Sequence, residues 1–135
     1  MEQEDYIKKM FDQMARILGN SIAKILNVQQ LGLLSDGVES IKENLKIDAN
    51  IDIDYLLTIS NEEFINELKN KGVTDSNIEL VSKILFEMGE REIDKVKQRS
   101  YFDKVKFLLE YLSATDKTFS IERQKHIQKI NSCYP

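Results

Sequence analysis

Apolar side chains return every third or fourth residue along almost the whole of this chain, and its single proline, Pro135, stands at the last position. Together these two features constrain the fold more than any motif does. A period near 3.6 residues lays apolar groups along one face of a helix, whereas a half-buried strand needs strict alternation. With no internal proline to remove a backbone donor, each helix can run until a cap ends it. At 135 residues the chain has the length of one domain, residues 1–135, and can bury about two thirds of its unfolded surface without a disulfide.

The spacing predicts seven helices, at about 4–26, 30–46, 51–59, 61–71, 76–98, 101–113 and 120–131. In the first, Ile7, Met10, Phe11, Met14, Ile17, Leu18, Ile22, Ile25 and Leu26 make a band wider than one core-facing stripe. Such a helix is either clasped on two sides within the monomer or meets another chain. Met10, Met14, Ile17 and Ile25 are the candidates for a self-association or partner surface, where a flexible thioether adapts to irregular neighbours. Gly19 and Asn20 mark the expected bend.

Further along, SNEEF reads as a capping box: Ser60 accepts from the Glu63 amide and the Glu63 carboxylate returns to Ser60. Gly72 ends that helix, and Thr74 or Asp75 begins the next. Ile78, Val81, Ile84, Leu85, Met88, Ile93 and Val96 then read as one long helix to Gln98, with Ser100 and Asp103 capping its successor. The stripe of that successor is Phe102, Val105, Leu108, Leu109 and Leu112. The expected fold is therefore all-α, as stacked antiparallel hairpins pairing helices 1 with 2, 3 with 4 and 5 with 6, or as a closed bundle.

Chemistry is sparser. Asp48, Asn50, Asp52 and Asp54 alternate as in the first half of a calcium loop, but the sixth and twelfth places hold Ile53 and Ile59 where glycine and a bidentate glutamate belong. The letters fit helix caps better than a metal site. His126 is the only histidine and Cys133 the only cysteine, which leaves no zinc signature and no internal disulfide. Neither phosphate-cradling glycine loops nor a nucleophile elbow occurs, so no catalytic, cofactor-binding or metal residue is assigned. Tyr55, Tyr101 and Tyr111 are candidates to line a small-molecule or enzymatic pocket between helix pairs.

Charge is uneven. Residues 1–90 carry 9 basic and 17 acidic side chains, and residues 91–135 carry 10 and 6. Lys95, Lys97, Arg99, Lys104, Lys106, Lys125 and Lys129 form a candidate basic patch, but a chain of net charge −4 that mixes them with Asp94, Asp103, Glu110 and Glu122 is a poor match to a dedicated phosphate binder. The acidic opening MEQEDY lacks a basic leader and no stretch reaches the roughly 20 apolar residues of a membrane span, so the expected setting is cytoplasmic. Heavy use of isoleucine, lysine and asparagine points to a low-GC bacterial genome.

DYIKKMFDQMARIL (5–18) and FLLEYLSATDKTFSIERQKHIQKI (107–130) resemble a domain-of-unknown-function family of small bacterial helical proteins, described as similar to tetratricopeptide-repeat proteins. In a tetratricopeptide unit an alanine follows a Gly-Asp turn. Here Val105 takes the alanine place, with Leu109 and Leu112 at the following apolar places, while Ser100 and Tyr101 replace Gly-Asp. The resemblance implies a helical scaffold and carries no catalytic residue. The expected function is a non-enzymatic module that binds a protein partner or itself, with a homodimer through helix 1 as one form.

Overall fold

The computed structural model describes residues 2–31, 34–116 and 121–133, which form α1 (Glu2–Leu31), α2 (Leu34–Ala49), α3 (Ile53–Leu56), α4 (Asn61–Asn70), α5 (Asp75–Arg91), α6 (Lys95–Asp116) and α7 (Ile121–Cys133). The fold is all-α, with no strand among the described residues. Among those residues no helix is long and apolar enough to cross a membrane.

The wide band of α1 is explained inside the monomer. α1 packs against both α2 and α5, burying Met14, Leu18 and Ile25 and half-burying Ile17 and Ile22. Helix continues through Gly19 and Asn20. Only two residues join α1 to α2, so their extensive packing requires α2 to run back along α1.

Caps set the middle of the chain. Asp52 accepts from the Tyr55 amide at 3.2 Å to start α3, which packs on α2 and shares a small hollow with α4. Ser60 Oγ accepts from the Glu63 amide at 3.2 Å, although the Glu63 carboxylate makes no return bond among the described residues. Gly72, at φ 87°, closes α4: its amide donates to the Lys69 carbonyl at 3.0 Å and the Val73 amide reaches Leu68 at 3.0 Å. Both bonds satisfy carbonyls that a helix end leaves open. Thr74 caps α5 with extended backbone alone.

The predicted helix over 76–98 is two helices. Glu92 is extended (φ −81°, ψ 127°), and Asp94 Oδ1 accepts from the amides of Val96 at 2.9 Å and Lys97 at 3.4 Å. Asp94, and not Ser100 or Asp103, starts α6. Ser100 lies inside that helix, its hydroxyl donating to the Val96 carbonyl at 3.2 Å. Ile93 and Val96, which carried the apolar repeat across the break, are 87% and 78% exposed.

α6 then runs antiparallel to α5. Gln98 near its start donates to the Gly89 carbonyl at 2.8 Å, while Tyr111 near its end donates to Asp75 at 3.2 Å. Gly89 permits the closeness: a Cβ there would lie 2.6 Å from Phe102 Cε1 and 3.1 Å from Tyr101 Cβ. The two rings are themselves buried, so neither can give way freely. Gly89→Ala should therefore cost about 1–3 kcal/mol in urea unfolding at unchanged helix content, by forcing α5 and α6 apart. Asp94→Ala should lose roughly 1 kcal/mol in the same measurement, with amide exchange rising first at residues 95–98.

Candidate functional site

Three lysine and arginine side chains sit where apolar ones belong. Lys42 shares a register with Val38, Leu45 and Ala49; Lys104 with Tyr101 and Leu108; Arg123 with Ile127 and Ile130. All three are buried, at 8%, 7% and 6% exposure. Burying a cation is expensive unless it is paired and hydrogen-bonded. How each is compensated decides what each can do.

Lys42 is compensated by carboxylates. Its amine donates to Asp54 at 3.0 Å and to Glu39 at 3.3 Å and stands 5.8 Å from the centre of the Tyr101 ring. Burial alone would lower the Lys42 amine, but the Tyr101 hydroxyl and the Asp54 carboxylate raise it above its ordinary 10.5. Burial pushes the Tyr101 phenol above its ordinary 10.0, with the neighbouring ammonium opposing. Lys42, Asp54 and Tyr101 thus tie α2, α3 and α6 together. Asp54 and Asp52, half of the alternating acidic run, serve as an ion-pair partner and a helix cap. Among the described residues no group of three or more histidine, cysteine, aspartate or glutamate side chains is placed to hold a metal.

Lys104 is compensated by neutral oxygens. Its amine donates to the Ile59 carbonyl at 2.6 Å and to Asn61 Oδ1 at 2.9 Å and lies 5.3 Å from the Phe64 ring centre. No carboxylate lies within ion-pair distance of it among the described residues, and burial lowers its amine from the ordinary 10.5. Lys104 forms the floor of a cleft of about 530 Å³ between the start of α4 and one face of α6. Ser60 and Asn61 supply one wall, Ser100, Asp103 and Phe107 the other, with Lys106 and Glu110 at the rim. The cleft is open along one side and predominantly polar.

The candidate residues scatter over this frame. Of the residues considered for a self-association or partner surface, Met14 and Ile25 belong to the monomer core and Ile17 packs against it; the side chain of Met10 lies outside the described side chains. The basic patch is broken up: Lys104 turns inward, Lys129 pairs with Glu90, Lys97 lies 3.9 Å from Asp54, and Lys106 donates to Asn131 at 3.1 Å. Lys95, Arg99 and Lys125 are exposed.

Nor do the three tyrosines share a pocket. Tyr55 is 50% exposed beside a small hollow of about 140 Å³, Tyr101 is enclosed against Lys42, and Tyr111 reaches Asp75. What sequence reasoning missed is the cleft and its lysine. The available signal was the register of Lys104 within the stripe of α6.

Comparison with protein-family models finds no match for this chain, and searches of curated proteins and of solved structures find none.

Replacing Lys104 tests its settlement. Lys104→Met removes the costly charge but strands the Ile59 carbonyl, and should destabilise the fold by about 1–3 kcal/mol. Because the folded amine titrates below the unfolded one, the unfolded chain binds more protons in the window just under pH 10.5. Wild-type stability contributed by Lys104 therefore rises with pH through that window. The stability gap between wild type and Lys104→Met should widen from pH 8.5 to pH 10, as read by urea unfolding.

Proposed function

We propose that this chain is a non-enzymatic helical module that binds a protein partner through the cleft between α4 and α6. The observation that supports it is the character of that cleft: open to solvent, and lined by hydroxyl, amide and charged groups of both signs together with the Phe107 ring. Small-molecule sites are usually enclosed and mostly apolar, burying most of the ligand. An open polar trough with one aromatic anchor instead matches a segment of polypeptide, whose backbone both donates and accepts.

The paired packing of α1 with α2 and of α5 with α6 supports reading the scaffold as stacked hairpins of the tetratricopeptide kind. A cytoplasmic setting in a bacterium is part of the same proposal, on the composition of the chain. Self-association through α1 is the weaker form, since Met14 and Ile25 are already spent in the core.

A photo-crosslinking residue placed at Asp103 or at Glu110, both exposed on the cleft walls, should trap the same partner in the native host. The same residue at Glu43, on the exposed side of α2, should trap none. Phe107→Ala should reduce the yield several-fold at both cleft positions. Equal adducts at all three sites, or none at any, would end the cleft proposal.

A further inference from the structure

We propose that α7 is a detachable strap, a helix that lies against α6 and is bridged to α5 by a row of charge pairs, and that it leaves the folded domain when ionic strength or a competing charged surface weakens those pairs. Glu79, Lys83, Phe86 and Glu90 follow one another at steps of four, three and four residues, so they stand in one row on α5. α7 answers with Arg123 and Glu122, adjacent on its first turn, then His126 and Lys129. Arg123 donates to both oxygens of Glu79, at 3.1 and 3.2 Å; Lys83 lies 3.6 Å from Glu122. His126 stacks on Phe86 with centroids 4.3 Å apart and planes 13° apart. Lys129 pairs with Glu90 and also lies 5.6 Å from the centre of the Phe86 ring.

The progression from Arg123 at Glu79 through His126 at Phe86 to Lys129 at Glu90 shows that α7 runs parallel to α5, and the alternation of sign fixes its register. Sliding α7 by one turn would bring Arg123 beside Lys83, so the helix docks in place or not at all. Beyond these bridges its backbone packs on α6. Ile130 is buried and Ile127 half-buried, while Ile121 is 66% exposed. Arg123 is buried, but each pair keeps at least one partner open to water: Glu79 is 38% exposed, Lys83 and Glu122 are 39% and 63%, and Lys129 is 57%. Charges so placed are screened by salt, whereas the apolar contacts of α5 with α1 and α6 are not.

Hydrogen exchange on the full chain, read by mass spectrometry in 0.05 M and 1 M NaCl, tests the strap. Amides of residues 122–132 should exchange roughly tenfold faster at high salt, while those of residues 80–88 in α5 stay unchanged. Glu79→Gln should produce the fast α7 exchange already at low salt; Lys83→Gln should do so more weakly and serves where the first variant is unstable. Charge exchange in Glu79→Arg/Arg123→Glu should restore protection. If α7 and α5 instead exchange together at every salt concentration, α7 opens only with the whole domain and the strap is refuted.

Discussion

Helix α5 must be covered on several sides, and the rest of the architecture answers that demand. Its buried residues include Asn77, Ile78, Val81, Ser82, Ile84, Leu85, Phe86, Met88 and Gly89, which at 100° per residue cover more than half of the circumference, the rest beyond its first two residues being half-buried. α1 covers one side and α6 another, with α7 bridged across a third by long side chains. A polar group on the buried face of such a helix must find its partner there. Ser82 satisfies itself by donating to the Glu79 carbonyl at 2.7 Å. At Gly89 the missing side chain lets Phe102 approach, trading helix propensity for aromatic contact with Phe86 at 5.7 Å between centroids.

The three buried cations then divide the labour among the outer helices. Lys42 is paired with carboxylates and Arg123 bidentately with Glu79, so both act as clamps, and removing either leaves a partner without its counter-charge. Lys104 donates only to neutral oxygens and lies over a ring, with the Asp103 carboxylate acting on it without an ion pair, so its charge is only partly offset. That difference is why the α4–α6 cleft, and not the better paired cluster at Lys42, is the place where an outside group would feel a field from the protein.

Local chemistry was legible in the chain wherever a single residue decides a backbone conformation. Ser60, Gly72 and Thr74 mark boundaries because a hydroxyl cap, a positive φ or an extended residue has few substitutes. The boundary at Asp94 was hidden by its neighbours: Ile93 and Val96 continue the apolar period, and period alone cannot tell a core residue from one left in solvent at a corner. The same limit hid the site. The apolar repeat announced that α1 would be covered twice but not by what, and it was the neighbours α2 and α5 that claimed Met14 and Ile25. A buried lysine looks like a surface lysine until the helix register is fixed. Register was readable for Lys104 within α6, yet the oxygens that meet it come from residues 43 and 45 positions away.

The cleft and the polar seam of α7 meet on one helix. α6 turns Tyr101, Val105 and Leu108 to the core, Lys104 and Phe107 to the cleft, and Lys106 to the rim, where its amine donates to Asn131 of α7 at 3.1 Å. A docked α7 therefore holds one of the two cleft lysines by a neutral acceptor. Once Asn131 withdraws, the Lys106 ammonium keeps its charge and loses an acceptor, so the rim becomes a stronger site for an acidic group. By linkage the converse follows: an acidic partner that takes Lys106 competes with Asn131 and loosens α7 by the same free energy. The short reach of one lysine side chain suffices to couple the two surfaces, with no rearrangement of the core between them.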